Sequence, residues 1–163
     1  MNNKKTSPVL HLMCGLPCSG KTTLAKQLSK EFNGVRFSPD EWLYEICLDF
    51  YDDEARIRVE KLQWQFAQEL LKSGNSVILE NGFWLKIERE NFRSIASQWG
   101  ITTKIHFLDT SLKELENRLI KRNKLFIPTV PKVNPDNLAK WAALFEPPTK
   151  EELLYDIHSI KQF

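Results

Sequence analysis

The sequence predicts an α/β fold: a doubly wound, mainly parallel sheet of five strands, with helices on both faces in three layers. Apolar runs of strand length alternate along the chain with segments whose apolar residues recur at helical spacing. The run at 76–80 is almost wholly apolar, as expected of a parallel strand that is buried on both faces. A glycine-rich loop joins the first apolar run, at 9–14, to the first helical segment, at 23–32. A strand, a glycine loop and a helix in this order are typical of α/β sheets that bind phosphate groups.

The glycine-rich loop has the pattern G-x-x-x-x-G-K-T over residues 15–22, which is the phosphate-binding loop motif. With the threonine that follows, the predicted binding residues are Gly15, Leu16, Pro17, Cys18, Ser19, Gly20, Lys21, Thr22 and Thr23. The glycines let the backbone curl so that its N–H groups point at phosphate oxygens. Lys21 supplies a cation for the β- and γ-phosphates, and the Thr22 hydroxyl can bind Mg²⁺. The following helix adds the positive end of its dipole, so the motif predicts a bound nucleoside triphosphate with Mg²⁺.

Length and composition restrict the class of protein. A chain of 163 residues with a formal net charge of +2 is most simply one domain, 1–163, without an extended nucleic-acid surface. Its apolar runs are too short to span a membrane, and the segment before the loop leaves no room for a cleaved signal peptide, which favours a cytoplasmic protein. Three cysteines, Cys14, Cys18 and Cys47, indicate neither a disulfide framework nor a metal site. We expect a monomer or a dimer.

Asp40 is a candidate catalytic base. It follows a short predicted strand at 35–38 and lies in the first turn of a helix that begins at Ser38 and Pro39. Ligands bind at the carboxyl ends of the strands in such sheets, so its carboxylate could accept the proton of a substrate hydroxyl. The alternative is that Asp40 only favours the start of the helix. Trp42 could stack on a substrate ring or belong to the core.

Glu80 ends the apolar strand at 76–80 and is a candidate metal ligand. A carboxylate at this edge can reach Mg²⁺, or a water bound to it, beside the phosphate loop. The alternative is that Glu80 caps nearby backbone groups. The helix before this strand, at 52–73, is predicted to carry an apolar stripe. That stripe comprises Ile57, Leu62, Phe66, Leu70 and Leu71.

Two arginines four residues apart, Arg118 and Arg122, share one face of a helix predicted at 111–123. They could clamp a polyphosphate and neutralise charge on the transferred group, or they could form a basic surface edge. The irregular stretch that follows suits a mobile lid, at about 118–135. The remaining predicted elements are a helix at 85–99 that contains Arg89, a strand at 101–109, a helix at 134–145, a capping box at 149–152 and a last strand at 155–160.

Five segments of the chain resemble the bacterial ATP-binding P-loop kinase-like family that is grouped with polynucleotide kinase, chloramphenicol phosphotransferase and zeta toxins. They are Gly15 to Thr22, Ser38-Pro39-Asp40-Glu41-Trp42, Glu80-Asn81-Gly82-Phe83-Trp84 with Arg89, Arg118-x-x-x-Arg122, and Phe145-Glu146-Pro147-Pro148-Thr149. The resemblance spans nearly the whole chain and implies a P-loop kinase fold with a small lid. A guanine-binding N-K-x-D motif is missing, since the Asn123-Lys124 pair has no Asp after it, and this favours ATP.

The resemblance also implies roles for particular residues. Asp40 matches the general base that acts on the acceptor hydroxyl, and Arg118 and Arg122 match lid arginines that grip the ATP phosphates. Arg89 lies where relatives carry an arginine on the acceptor side. Relatives usually have Asp where this chain has Glu80, and the longer side chain changes how the carboxylate reaches Mg²⁺ or substrate.

The function that follows from the resemblance is transfer of the γ-phosphate of ATP, with Mg²⁺, to a hydroxyl of a small molecule or of a nucleic-acid end. The alternative is a nucleotide-binding or ATPase protein without a dedicated acceptor, which acts as a regulatory or binding module. An antibiotic, a nucleotide sugar and a nucleic-acid 5′ end all remain open as acceptors.

Overall fold

Four parallel strands form the sheet in the computed structural model, which describes residues 7–153. The strands are β1 (Val9–Cys14), β2 (Val35–Phe37), β3 (Val77–Gly82) and β4 (Thr102–Phe107), in the spatial order β2-β3-β1-β4. Leu12 of β1 lies opposite Leu79 of β3 on one side and Ile105 of β4 on the other. The loop after β1 therefore emerges between two neighbouring strand ends, where open α/β sheets bind ligands.

Between residues 7 and 144, six helices connect or follow the strands. They are α1 (Lys21–Glu31), α2 (Pro39–Glu45), α3 (Asp53–Lys72), α4 (Lys86–Ser97), α5 (Leu112–Asn123) and α6 (Pro135–Leu144). Side chains cap several of them, because the first N–H groups of a helix have no partner within it. The Asp52 carboxylate accepts from the N–H of Ala55, and the Ser111 hydroxyl accepts from that of Glu114. Pro39 and Pro135 fit the first turns of α2 and α6, where no N–H is needed.

The two faces of the sheet pack against different helices. Leu10, Leu12 and the alternate residues of β3 form a core with Ala67 and Leu71 of α3 and with α4. On the opposite face, Met13 and Ile78 pack against Ala25 and Leu28 of α1. Successive residues of a strand point to opposite faces, so near-continuous apolar strands need cover on both sides. The predicted three-layer α/β class is confirmed.

The described residues contain four strands rather than the five that were predicted. The predicted last strand, at 155–160, lies outside the described residues. The capping box before it is present: the Thr149 hydroxyl accepts from the N–H of Glu152, and the Glu152 carboxylate accepts from the N–H of Thr149. Within residues 7–153, no helix is both long and apolar enough to cross a membrane.

The predicted apolar stripe of α3 is right for Leu70 and Leu71, which pack in the core, and wrong for its other three residues. The buried residues of this helix are Ala55, Val59, Gln63, Ala67 and Leu71, whereas Ile57, Leu62 and Phe66 are exposed. The buried face of this helix contains two alanines and a glutamine, so it is not the most apolar face that the sequence offers. The hydrophobicity of the side chains therefore does not by itself predict which face of α3 is buried.

A separate small core lies under the region predicted as a lid. Leu115 and Leu119 of α5 pack against Val133 and Leu138, and Leu16 and Cys18 of the phosphate loop border this cluster. Between α5 and α6, residues 124–134 have no helix or strand. The side-chain amide of Asn123 holds this stretch by bonds to both the N–H and the carbonyl of Val133. The predicted lid segment is thus packed directly against the phosphate loop.

Candidate functional site

The end of β3 and the residues just after it hold the start of the phosphate loop. The N–H of Gly15 donates to the carbonyl of Gly82 at 3.0 Å, and the indole N–H of Trp84 donates to the carbonyl of Gly15 at 3.3 Å. Gly20 precedes α1 with a φ of 102°, a left-handed conformation that glycine adopts without strain. Both contacts of Gly15 tie the loop to the end of β3, which sets its position relative to the residues that follow that strand.

Lys21 turns back over the loop that precedes it. Its Nζ donates to the carbonyl of Leu16 at 2.8 Å. Burial lowers the pKa of Lys21 to about 8, although the charges of Asp40 and Glu80 act in the opposite direction. A lysine in this position keeps its ammonium group near the loop and gains an electrostatic partner when an anion binds.

Thr22 and Glu80 are in direct contact. The Thr22 hydroxyl donates to Oε2 of Glu80 at 2.8 Å, while Oε1 of Glu80 accepts from Arg36. Arg36 also donates to Glu41, so one guanidinium bridges two carboxylates. A hydroxyl beside a buried carboxylate offers oxygen ligands of the kind that Mg²⁺ prefers, and both lie next to the phosphate loop. These two residues therefore fit Mg²⁺ bound together with a nucleotide. Residues 7–153 contain no group of three or more His, Cys, Asp or Glu that could hold a metal ion.

A cavity of about 470 Å³ opens beside the loop. Pro17, Cys18 and Lys21 line it from the loop, and Arg122 and Val133 line it from the segment around α5. A second wall comes from the starts of α2, α3 and α4 and the residues just before them. That wall contains Asp40, Phe50, Tyr51, Asp53, Arg56, Glu60, Trp84, Leu85 and Glu88. The cavity thus joins the phosphate loop to a wall rich in carboxylates and aromatic rings.

Asp40 faces this cavity in an ion pair with Arg56. The guanidinium of Arg56 donates to Oδ1 of Asp40 and, at 3.4 Å, to Glu60. Burial raises the pKa of Glu60, although Arg56 acts against this. Burial and then the neighbouring Glu60 raise the pKa of Glu88 to about 7. Asp40, Arg56, Glu60 and Glu88 therefore form a charged row across the cavity wall.

Of the two predicted lid arginines, Arg122 lines the cavity, whereas Arg118 reaches the phosphate loop but is not among the described residues that line the cavity. Arg118 pairs with Glu114 at 2.7 Å and directs Nη1 toward the carbonyl of Cys18, at 3.5 Å. Arg122 lines the cavity and donates to the carbonyl of Pro131 at 3.3 Å. Arg118 is exposed and Arg122 is half-buried, so Arg122 is the better placed of the two to meet a ligand.

Arg89 and Trp42, which were predicted near the substrate, are absent from the described residues that line the cavity. Arg89 is fully buried, and Nε pairs with Glu152 at 2.8 Å. Its Nη1 donates to the carbonyls of Phe83, Trp84 and Glu146. Trp42 packs edge-on against Phe37 in the core. Arg89 therefore joins the end of β3 to the segment around Glu146 and Glu152. Because its guanidinium is buried and bonded to these protein groups, it does not face the cavity.

The comparison with known proteins places this chain in a family. A family model described as "AAA domain" matches residues 10–148. The chain belongs to this AAA-domain family. The match covers the phosphate loop, the residues after β2 and β3, and both arginines of α5. No match is found among curated proteins.

Solved structures share the fold of this AAA domain. A chain of the Pnkp1/Rnl/Hen1 RNA repair complex has a TM-score of 0.69 and 22% identity over 97% of this chain and 48% of its own. Kti12 from Chaetomium thermophilum, in complex with ADP-AlF3, has a TM-score of 0.66 and 16% identity, and the match covers 87% of this chain and 82% of Kti12. The APS kinase CysC of Mycobacterium tuberculosis, in complex with AMPPNP and APS, has a TM-score of 0.56 and 21% identity, and the match covers 69% of this chain and 68% of CysC. The AAA domain thus has the fold of P-loop kinases and spans about half the length of the RNA repair chain.

Sequence reasoning missed three residues in the site of the AAA domain. Arg56, Glu60 and Glu88 line the cavity, and none of them belongs to a recognised motif. One signal was available: Arg56 and Glu60 are four residues apart near the start of a helix, so their side chains share a face. That face could be assigned to the cavity only once α3 was packed against the sheet.

Proposed function

We propose that this AAA domain is a kinase that transfers the γ-phosphate of ATP to a hydroxyl of an acceptor bound in the cavity. One observation carries the proposal: Lys21 of the phosphate loop and Asp40 after β2 line the same cavity. Phosphoryl transfer needs a phosphate-binding group and a proton acceptor within one enclosed space. The family and the fold of the kinase neighbours support this combination.

The donor half of the proposed site consists of the phosphate loop and the residues around it. Backbone N–H groups at the end of the phosphate loop and the start of α1 bind the phosphates, and Lys21 exchanges its bond to the Leu16 carbonyl for phosphate oxygens. Thr22 and Glu80 would hold Mg²⁺. When bound, this ion supplies positive charge at the β- and γ-phosphate oxygens. Arg122, and more weakly Arg118, neutralise charge on the transferred group.

The acceptor half of the proposed site is built around Asp40. Arg56 binds Oδ1 of this carboxylate and so limits its rotation. We assign proton acceptance to Oδ2, which is left to meet the hydroxyl of an acceptor as the hydroxyl oxygen attacks the γ-phosphorus. The acceptor is a small molecule or a nucleic-acid end that brings its hydroxyl to this carboxylate.

The variant Asp40→Asn tests the proposal. It keeps the shape of the side chain but removes its basicity, so we expect phosphate transfer to fall by about 10²–10⁴-fold while ATP binding is unchanged. Transfer is measured with labelled ATP and a pooled library of metabolites and antibiotics, with mass spectrometry to find phosphorylated products. The variant Asp136→Asn, which changes an exposed carboxylate at the start of α6, is the matched control. Full transfer by Asp40→Asn would show that this carboxylate is not the base.

The ion pair between Asp40 and Arg56 favours a second candidate function. A carboxylate already held by a guanidinium also suits a protein that binds nucleotide without a dedicated acceptor, as a regulatory or binding module. Slow ATP consumption that no hydroxyl compound accelerates, in wild type and Asp40→Asn alike, would favour this alternative.

A further inference from the structure

The cavity has walls of opposite charge. Lys21 and Arg122 lie on the phosphate-loop side. The wall around Asp40 carries the carboxylates of Asp40, Asp53, Glu60 and Glu88, and the guanidinium of Arg56. A cleft lined mainly by one sign of charge concentrates ligands of the opposite sign. The far wall therefore differs in chemical preference from the wall that would bind phosphates.

The carboxylates of this wall lie close to one another and to the phosphate loop. Asp40 is near enough to Lys21 to influence its pKa. Arg56 donates to both Asp40 and Glu60, which brings these two carboxylates together. Burial and then the charge of Glu60 raise the pKa of Glu88. Arg56 is shared between Asp40 and Glu60, so its single charge cannot balance the row. An acceptor that binds in this cavity beside Asp40 shares it with the carboxylates of Glu60 and Glu88.

Aromatic rings flank this row. Tyr51, Trp84 and Trp141 line the same cavity, and the rings of Trp84 and Trp141 have centroids 5.8 Å apart. The faces of such rings attract cations, and the attraction increases where water is excluded. The rings therefore add to the preference of the carboxylates for a positively charged group.

We propose that the acceptor is a hydroxyl compound that carries a protonated amine, with the ammonium group held by Glu60 and Glu88. That this compound is the phosphate acceptor rests on the proposed function. The preference of the cavity for a positively charged ligand rests only on the residues that line it. In the transfer, the bond from the γ-phosphorus to the β,γ-bridging oxygen breaks and ADP leaves. The acceptor oxygen bonds to the γ-phosphorus, and its proton passes to Asp40.

The same wall disfavours two of the acceptors left open by the sequence. A nucleic-acid 5′ end carries a phosphodiester next to its hydroxyl, and a nucleotide sugar carries a diphosphate. Either anion would lie beside Glu60 and Glu88, and like charges placed together select against a ligand. A hydroxylated amine meets opposite charges along the same wall.

A binding experiment with matched compounds tests the charge preference. The full chain, with Mg²⁺ and a non-hydrolysable ATP analogue, is titrated with serinol, glycerol and glycerate, and separately with glucosamine, glucose and glucuronate. Thermal unfolding reports binding. We expect the amine of each series to bind at least about ten-fold more tightly than its neutral partner and the carboxylate to bind most weakly. Added salt should reduce the preference, because it screens the charges.

Two variants assign the preference to the proposed residues. Glu60→Gln combined with Glu88→Gln should abolish the advantage of the amine, whereas Glu54→Gln, on the exposed side of the same helix, should keep it. If the double variant does not fold, Glu88→Gln alone should reduce the advantage several-fold. The inference is overturned if neither amine binds more tightly than its neutral partner, or if the advantage survives both changes.

Transfer in the same mixtures separates this inference from the proposed function. Phosphorylated serinol or glucosamine supports both. Amine-selective binding without phosphorylation of any hydroxyl compound overturns the proposed kinase activity but upholds the charge preference. Phosphorylation of a 5′-hydroxyl oligonucleotide in preference to the amines upholds the kinase and overturns the inference.

Discussion

The hydroxyl of Thr22 and the carboxylate of Glu80 are joined by a hydrogen bond of 2.8 Å. The contact links the first turn of α1 to β3 across 58 positions of sequence. It places a hydroxyl and a carboxylate together beside the phosphate loop, where their oxygens would hold Mg²⁺. Arg36 holds the other oxygen of Glu80 and offsets part of its charge.

Replacing Glu80 is expected to change the contribution of Mg²⁺ to nucleotide binding. In Glu80→Gln, ATP should still bind, but Mg²⁺ should no longer strengthen that binding, because the amide has no negative charge to offer the ion. The measurement compares ATP-induced thermal stabilisation with Mg²⁺ and with EDTA, for wild type and variant. Glu80→Asp restores the charge on a shorter side chain and should recover part of the Mg²⁺ effect. An equal Mg²⁺ effect in wild type and Glu80→Gln would remove Glu80 from the metal site.

Replacing Lys21 is expected to remove most nucleotide binding. At ATP concentrations a hundred-fold above Kd, binding stabilises a folded protein by about 2.7 kcal/mol, and Lys21→Ala should lose most of this effect. The shift in unfolding temperature on adding ATP measures it. The control is Lys30→Ala, which removes an exposed lysine from the last turn of the same helix. If Lys21→Ala kept the full shift, the phosphate loop would not be the nucleotide site.

The pair of Arg89 and Glu152 is expected to matter for stability rather than for substrate binding. Arg89 is fully buried and Glu152 is 5% exposed, so Arg89→Leu leaves a buried carboxylate without its partner. The free energy of unfolding should fall by about 3–5 kcal/mol, measured by urea denaturation. Arg58→Leu, which breaks an exposed pair with Glu54, should cost less than about 1 kcal/mol. A stable Arg89→Leu protein with impaired acceptor binding would instead restore the substrate role.

Glu88 is expected to make stability depend on pH. Burial raises its pKa in the folded protein to about 7, above the value of 4.5 that serves as its reference. Between these two values the folded state holds a proton that the unfolded state has lost, so the contribution of Glu88 to stability falls as the pH rises from about 4.5 to 7. Glu88→Gln removes this fall.

The free energy of unfolding, measured at pH 5 and at pH 8, checks the prediction for Glu88. Relative to wild type, Glu88→Gln should gain about 1–3 kcal/mol between these two pH values. Glu90→Gln is the control, because Glu90 is exposed and pairs with Lys86 at the surface. The same pH dependence in wild type and Glu88→Gln would contradict the raised pKa of this side chain in the folded protein.

Local sequence predicted the order and approximate bounds of the strands and helices from β1 to α6. Spacing of apolar residues sets the element type, and glycine, proline and capping side chains set where elements begin and end. The phosphate loop was readable for the same reason, since its chemistry depends on a contiguous run of residues, 15–22. Asp40 could be placed just after a strand and Glu80 near the end of one, although β3 continues two residues beyond Glu80, to Gly82. Parallel strands bring their carboxyl ends to one edge.

What surrounds these residues depended on the tertiary structure. The sequence suggested that Arg89 belonged to the acceptor side, but burial against Glu152 uses its guanidinium elsewhere. It gave no role to Arg56 or Glu88, because the face of a helix that meets a cavity depends on how that helix packs against the rest of the fold. The sequence alone therefore determined the phosphate-binding loop, whose residues are adjacent in the chain. The charge of the acceptor wall was decided by packing, which brings together side chains that are far apart along the chain.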